Sequence, residues 1–131
     1  MPSYDIEIIL SRQLADSLSR PVFITDIEGN LIYYNEPAEE ILGKRFEETG
    51  VMPVEVWGKI FKPMDEFKTP IAAEELPLVK TLRNVYPYHK SFWIESLQGK
   101  SQKISVTSFP IIGRSGNFSG GIAIFWKDER L

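Results

Sequence analysis

Few residues in this chain are of the types that most often perform chemistry. It contains no cysteine, which excludes a disulfide framework, a thiolate zinc site, an iron–sulfur cluster and a cysteine nucleophile. The one histidine, His89, follows Tyr86-Pro87-Tyr88 and has no cluster of carboxylates beside it in the sequence. We therefore predict no metal site, and we interpret His89 as a surface or strand-edge side chain.

The carboxylates do not form a recognisable catalytic pattern. Asp26 and Glu28 belong to a predicted turn, while Glu39-Glu40 and Glu47-Glu48 are typical of solvated helix faces. The sequence has no G-x-S-x-G, no H-E-x-x-H and no Gly-rich phosphate loop. We therefore predict that the protein is not an enzyme. The alternative of a small isomerase-like enzyme would require a buried Asp or Glu whose carboxyl pKa is raised.

The composition is typical of one compact globular domain. Of the 131 residues, 43% are hydrophobic and 25% are charged, so we expect a buried core. Fifteen basic and 18 acidic residues give a net charge of −3, which provides no attraction to nucleic acid or to an anionic membrane. No signal peptide or membrane-spanning run is visible, and we predict a cytoplasmic location.

A leading helix and a β-hairpin are predicted for the first third of the chain. Residues 3–19 carry apolar side chains at helical spacing, and Pro21 ends this amphipathic helix. Residues 21–35 indicate a hairpin, because Glu28-Gly29-Asn30 supplies strong turn chemistry between two apolar runs.

Short helices and a β-meander are predicted for the rest. Asn35 is a favoured cap for a short helix that Gly43 terminates. Further helices are expected over residues 54–61 and 75–84, with a loop between them. The last three predicted strands cover residues 90–97, 103–111 and 121–126. Because helices and strands are segregated along the chain, we predict an α+β fold with a mostly antiparallel five-stranded sheet.

Three motifs in this order resemble the PAS domain family. Residues 21–39, PVFITDIEGNLIYYNEPAE, resemble the family's opening hairpin and the N-x-x-A-E entry to the next helix. Residues 74–82, EELPLVKTL, are similar to the helix before the third strand. Residues 108–111, SFPI, with Gly116 and residues 120–128, GGIAIFWKD, resemble the final hairpin. The family's exit motif usually reads D-I-T, whereas this chain has Asp128-Glu129-Arg130.

The resemblance implies a sheet curved around a small cavity that lies beneath the short helices. PAS modules use that cavity for haem, flavin, a covalent chromophore or small metabolites. A cysteine-linked flavin or chromophore is excluded here, because there is no cysteine. Haem-binding relatives carry their ligand on the helix before the third strand, and the position of His89 after that helix argues against haem. A non-covalent small molecule of unknown identity stays open.

Alternation along the strands predicts which side chains face this cavity. We assign the aliphatic-rich set of each strand inward. Ser108 would then hold a polar ligand atom or a neighbouring backbone group. Aromatic side chains would either stack on a flavin or simply fill the core; these are Tyr34, Trp57, Phe61 and Trp93. The predicted cavity-lining residues are Ile24, Tyr34, Ile41, Trp57, Phe61, Leu82, Phe92, Ile94, Val106, Ser108 and Ile124.

The alternate side chains would form an aromatic patch on the outer face of the sheet. Such a patch is large for the surface of a monomer, so we expect the leading helix to cover it. Covering across a homodimer is favoured because a helix and a sheet face together make a self-complementary surface, and covering within one chain is the alternative. The predicted interface comprises Ile6, Ile9, Leu10, Leu14, Leu18, Phe23, Trp93, Phe109 and Phe125.

The predicted function is that of a PAS-type signal-sensing and dimerisation domain. It would bind a small molecule in its cavity and relay that event to an output domain or a partner protein. The alternative is a ligand-free interaction module, which a cavity filled by Trp57, Phe61 and Phe92 would favour. The expected organisation is a helix within residues 1–20, a core over residues 21–128 and an exit segment over residues 129–131.

Overall fold

The computed structural model describes residues 6–60, 62–95 and 99–127, so the predicted cavity residue Phe61 and the exit segment lie outside the described residues. The helices are α1 (Ile6–Ser17), α2 (Glu36–Leu42), α3 (Phe46–Thr49), α4 (Val54–Ile60) and α5 (Pro77–Asn84). The strands are β1 (Val22–Thr25), β2 (Leu31–Tyr34), β3 (Tyr88–Glu95), β4 (Ser101–Ile112) and β5 (Phe118–Lys127). Single 3-10 turns cover Ala73–Glu75 and Arg114–Gly116.

The five strands form one antiparallel sheet in the order β2-β1-β5-β4-β3. β5, the last strand in the chain, inserts between β1 and β4 and is therefore central. This arrangement confirms the predicted α+β fold with a five-stranded antiparallel sheet. The residue ranges of the predicted hairpin and of the three later strands agree with the structure to within a few residues at their ends.

The turn between β1 and β2 is built by Asp26. Its Oδ1 accepts hydrogen bonds from the backbone N–H of Glu28 at 3.0 Å and of Asn30 at 2.9 Å. Its Oδ2 accepts from Asn30 Nδ2 at 2.9 Å. Gly29 has a φ of 92°, a backbone conformation that glycine adopts without a Cβ clash. The two acidic residues singled out in this segment are therefore turn residues, as predicted.

The second helix begins and ends where the sequence indicates. The side chain of Asn35 accepts a hydrogen bond from the N–H of Ala38, which caps the first turn of α2. Gly43 has a φ of 87° and donates its N–H to the carbonyl of Glu39, which closes the last turn. The four-residue helix α3 was not predicted, because so short a segment has no apolar periodicity to reveal it.

Both faces of the sheet are covered by helices, but in different ways. The inner face packs against α2, α4 and α5 around the larger core cluster, which includes Trp57 and Leu78. The outer face packs against α1 around a second cluster, to which the helix contributes Ile8 and Ala15. Within the described ranges, no helix combines the length and the apolar character needed to cross a bilayer.

Candidate functional site

The interior between the sheet and the short helices is closely packed. A void of about 20 Å³ lies there, a volume close to that of one water-sized sphere. Binding pockets for small molecules commonly have volumes of about 300–1,000 Å³. The void is lined by Phe23, Trp57, Leu76, Pro77, Leu78, Phe92, Val106, Ala123 and Phe125.

Two of the predicted stacking aromatics lie in this interior and already use their polar atoms. Trp57 is 2% exposed, and its Nε1 donates to the carbonyl of Gly29 at 2.8 Å. The Tyr34 hydroxyl lies 3.0 Å from the carbonyl of Lys44 and 3.0 Å from Thr49 Oγ1. Burial raises the pKa of the Tyr34 hydroxyl. Both side chains therefore act as structural members of the core in this arrangement.

Buried hydroxyl groups lie beneath α5 in two different situations. Thr81 Oγ1 on the helix and Ser108 Oγ on β4 lie 2.6 Å apart, and both residues are fully buried. Ser108 thus faces inward as predicted, and its hydrogen-bond partner is a side chain rather than a backbone group. Thr25 is also fully buried, but its Oγ1 has no hydrogen-bond partner. A buried hydroxyl without a partner is destabilising.

The inward and outward assignments were wrong for β1 and β5. Ile24 and Ile124, predicted to line the cavity, belong to the outer cluster beneath α1. Phe23 and Phe125, predicted to form the outer patch, are 1% and 4% exposed and lie in the inner core. Their ring centroids are 4.7 Å apart. The error arose because aliphatic content does not distinguish two sheet faces that are both buried.

The remaining predicted cavity residues lie on the inner side. Leu82 on α5 lies close to Gly29 and Gly121, and an added Cβ at Gly121 would approach the leucine Cδ2 to 3.3 Å. The others belong to the larger core cluster, in which they pack against one another rather than around an open space; these are Ile41, Phe92, Ile94 and Val106.

Helix α1 docks on the outer face with the opposite side from the one predicted. Ile8 and Ala15, 2% and 1% exposed, contact the sheet, and Leu18 after the helix packs beside them. The four other members of the predicted stripe are exposed to between 45% and 63%; we call Ile6, Ile9, Leu10 and Leu14 the exposed stripe. The helix therefore covers the sheet of its own chain, which was the alternative, but it does so with Ile8, Ala15 and Leu18 rather than with the other members of the stripe; the favoured homodimer stays a prediction.

Asn35 is a residue whose second role the sequence did not reveal. Its Oδ1 accepts from the N–H of Val22 at 2.9 Å as well as from the cap position of α2. Its Nδ2 donates to the carbonyls of Ala15 at 2.8 Å and of Arg20 at 2.9 Å. One buried side chain thus joins the C-terminal part of α1, the start of β1 and the start of α2. The cap motif predicted only the last of these contacts.

A second polar contact joins α1 to β2. The Tyr33 hydroxyl donates to Asp16 Oδ1, and the Arg12 guanidinium lies 4.4 Å from the centre of the Tyr33 ring. Burial, and then the hydrogen bond to Asp16, raises the pKa of Tyr33 to about 12. With Asn35, these contacts fix the rotation of α1 about its axis, so that the exposed stripe points away from the sheet.

The other outer-face aromatics are half-buried. Phe109 on β4 packs against the outer cluster, consistent with its predicted face. Trp93 on β3 lies opposite Lys103, and its backbone N–H and carbonyl each pair with Met64 at 2.8 Å, which protects part of that sheet edge. His89 is exposed on the same edge strand, where its Nδ1 lies 2.9 Å from Thr107 Oγ1. The prediction of a strand-edge histidine is thereby confirmed.

Comparison with known proteins decides the family. The family model of the PAS domain matches residues 10–85 of this chain, more than half of its length. The chain belongs to the PAS domain family. PAS domains are generally sensory modules rather than enzymes, so this chain is a signal-sensing module at that level of description. No curated protein sequence matches the chain.

Solved PAS structures share the fold at low sequence identity. The PAS domain of a protein from Colwellia psychrerythraea is 19% identical, with 95% of this chain and 98% of that chain covered and a TM-score of 0.64. The PAS domain of Bordetella pertussis BvgS is 16% identical, with 96% of this chain and 89% of that chain covered and a TM-score of 0.69. A Rhodobacter sphaeroides LOV protein is 13% identical, with 96% of this chain and 70% of that chain covered and a TM-score of 0.73. At such identities the likeness concerns the fold.

Proposed function

We propose that this PAS domain is a protein-interaction module that forms a homodimer through the outward side of α1 and transmits signals through that helix. The observation that carries the proposal is the exposed stripe, whose four aliphatic side chains lie on the side of α1 opposite the docked residues Ile8 and Ala15. Contiguous exposed aliphatic side chains on one helix face are characteristic of protein-interaction sites.

The way α1 is held supports this role. A helix that merely needed to bury its largest aliphatic residues would turn the exposed stripe toward the sheet. Instead, the hydrogen bonds of Asn35 to the end of α1 and the contact of Asp16 with Tyr33 hold the small residue Ala15 against the sheet. The exposed stripe is thereby kept available to a second molecule.

The packed interior supports a ligand-free mode of action. A void of about 20 Å³ holds no cofactor-sized molecule, so a ligand would have to displace Trp57 or α5 before it could bind at this place in the interior. Small-molecule sensing is the second candidate function. It is favoured by the unpartnered hydroxyl of Thr25, which could bond to a polar ligand atom if the interior opened.

The other expectations from the sequence form part of this proposal. Among the described residues no Asp or Glu is buried, so the feature that an isomerase-like enzyme requires is not found in that part of the chain. A binding role without catalysis is therefore what we propose. A cytoplasmic location and an output domain or partner protein complete the hypothesis.

Native mass spectrometry and sedimentation equilibrium test the dimer. We expect a homodimer for the unchanged chain. Leu14→Asp places a charge in the proposed interface and should raise the dimer dissociation constant by at least tenfold, because it removes about 1.5–3 kcal/mol of burial per side chain. Val56→Asp on α4 is a matched control, since Val56 is 44% exposed but lies away from the exposed stripe. A monomer at high protein concentration, or equal effects of the two substitutions, would contradict the proposal.

The native mass spectra of the unchanged chain separate the two candidate functions, the ligand-free interaction module and the small-molecule sensor. A dimer whose mass equals that of two polypeptides supports the interaction module. A small molecule retained in a one-to-one ratio, or colour in the purified protein, would instead support the ligand sensor.

A further inference from the structure

The free edge of the sheet along β3 is only partly covered. β3 is the last strand in the order β2-β1-β5-β4-β3, so one of its sides has no neighbouring strand. On that side the N–H and the carbonyl of Trp93 both bond to Met64, each at 2.8 Å. Backbone groups on alternate residues of a strand point to the same side, so those of Ser91 and His89 point to this edge as well. Across the described residues, no group bonds to their edge-facing N–H and carbonyl; we call His89 and Ser91 the open edge.

The chain itself leaves this edge immediately after Met64. Asp65 Oδ1 accepts hydrogen bonds from the N–H groups of Phe67 at 2.8 Å and of Thr69 at 2.9 Å, which forms a tight turn. After the turn, Pro70 returns to pair with Met64. Met64 therefore shows that an antiparallel segment can bond to β3, and the turn built by Asp65 leaves the open edge uncovered.

A groove of about 470 Å³ lies between this turn and β3. Ser91 lines the groove from the strand, so the open edge can be reached from solvent. The apolar part of the groove is formed by Pro70, Ile71 and Phe92, and Lys90 lines it beside Ser91. The groove therefore offers backbone hydrogen-bonding groups, apolar surface and a lysine to an extended chain.

The charge within the open edge is positive. Lys90 lies between its two residues, and within the described ranges no carboxylate forms an ion pair with it. The acidic side chains of the groove, Asp65, Glu66 and Glu75, lie on the wall away from β3. Asp65 holds the turn, and Glu75 pairs with Lys80 at 3.2 Å. On an added strand, a residue of opposite charge directly across from Lys90 would stabilise the pairing, and a like charge would destabilise it.

This charge argues against β3 of a second copy as the added strand. An antiparallel pair that bonds both open residues of each chain sets Ser91 opposite His89, which places Lys90 directly opposite Lys90. Shifting the pair by two residues in either direction would engage Pro87, which has no N–H, or Trp93, whose backbone groups are already paired. A segment of a different chain, with an acidic residue across from Lys90, avoids both problems.

We propose that the open edge binds an extended segment of a partner protein, which adds to β3 as a sixth strand and sets an acidic residue opposite Lys90. The hydrogen bonds to the backbone of Ser91 and His89 supply affinity, while the lysine and the apolar part of the groove select the segment. The proposal does not depend on the dimer through α1, because it uses a different surface.

Two synthetic heptapeptides with blocked ends test this proposal: Thr-Val-Thr-Glu-Thr-Val-Thr, and the same peptide with Lys in place of Glu. Their alternation places the charged residue and both valines on one face of an added strand. With the Glu peptide in excess, we expect the backbone amides of Ser91 and His89 to exchange with solvent at least about tenfold more slowly. The Glu peptide should bind about fivefold more tightly than the Lys peptide in an amide chemical-shift titration.

A charge reversal at the edge provides the second arm of the test. Lys90→Glu should reverse the preference between the two peptides. Lys44→Glu is the matched control and should keep the preference, because Lys44 is exposed and its carbonyl accepts from Tyr34 on β2, the strand at the opposite edge. The comparison of the two peptides on the unchanged chain does not depend on either variant.

Three results would overturn the proposal. The first is that neither peptide binds at millimolar concentration, and the second is binding that leaves the amides of Ser91 and His89 unprotected. The third is protection of these two amides that rises with protein concentration in the absence of peptide, since that would assign the open edge to a second copy.

Discussion

Two substitutions at Asn35 separate its two functions in the fold. Asn35→Asp keeps an oxygen that accepts from the N–H groups of Val22 and Ala38 but removes both donors. The carbonyls of Ala15 and Arg20 would then face a carboxylate oxygen instead of an N–H. Asn35→Ala removes donors and acceptors together. If the Nδ2 group is what holds α1, both substitutions should loosen this helix.

The structure sets the magnitudes. Asn35 makes four hydrogen bonds of 2.8–3.2 Å and is 1% exposed. At about 1 kcal/mol net for each bond, Asn35→Ala should lower the free energy of unfolding by about 4 kcal/mol. Asn35→Asp loses about 2 kcal/mol from the two donor bonds, and burial of the carboxylate charge adds to that loss. The local effect on α1 alone, about 2 kcal/mol, corresponds to roughly thirtyfold faster amide exchange.

Urea denaturation and amide hydrogen exchange measure these effects. We expect faster exchange throughout α1 in both variants. The amides of Val22 and Ala38 should exchange faster only in Asn35→Ala, because Asn35→Asp keeps their acceptor. Asn84→Asp is a matched control at an exposed position, where the Tyr88 hydroxyl can donate to the new carboxylate, and its effect on stability should stay within about 1 kcal/mol. Exchange of α1 that is unchanged in Asn35→Asp would refute the assignment of its anchor to Nδ2.

Two further predictions concern buried or half-buried hydroxyl groups. Thr25→Val removes a hydroxyl without a hydrogen-bond partner and should raise the free energy of unfolding by about 1 kcal/mol. Thr81→Val breaks the hydrogen bond to Ser108 and should lower the free energy of unfolding by about 1–3 kcal/mol. Urea denaturation that shows a change of the same sign for both substitutions would contradict this prediction. The raised pKa of Tyr33, about 12, means that between about pH 10 and 12 the folded state holds a proton that the unfolded chain has lost, so stability should fall as the pH rises through that range. Tyr33→Phe should make the free energy of unfolding, measured by urea denaturation, fall less steeply between about pH 10 and 12. An unchanged dependence of the free energy of unfolding on pH would count against the raised pKa of Tyr33.

The sequence predicted the fold well because turns and caps are local. Asp26, Asn35 and Gly43 each act on backbone groups within a few residues, so their types and spacing indicate the hairpin and the first helix after it. The face of each strand is a non-local property. Alternation shows which residues share a face but does not show which face meets which helix.

The hairpin itself contained a signal that would have corrected the faces. Phe23 lies directly opposite Tyr34 across the two strands, and directly opposed residues share a face. Because Tyr34 is predicted to face inward, this pairing places Phe23 on the inner face as well. Ala123 lies opposite Phe23 on β5, which then turns Ile124 to the outer face. Cross-strand pairing is therefore a stronger criterion than aliphatic content when both faces are buried.

The volume of the interior could not be read from the sequence. The same side chains would surround a ligand pocket or fill it, depending on a shift of a few ångströms between α5 and the sheet. That distance is small here because Gly121 lies directly beneath Leu78, where an added Cβ would approach the leucine Cδ1 to 2.9 Å. Close packing of this helix on small residues accounts for a void of about 20 Å³ where the family's cavity was expected.

Asn35 provides a physical connection between the packed interior and the outward side of α1. It bonds the first turn of α2, which contributes Ala38 to the inner core, and it bonds the carbonyl of Ala15 on the opposite side of the sheet. A displacement of α2 that breaks the cap would also strain the bonds to α1. Because the rotation of α1 determines where the exposed stripe points, any partner or ligand that moves α2 should change the affinity of the dimer. In Asn35→Asp, which loses the bonds to α1, a movement of α2 should no longer change the affinity of the dimer.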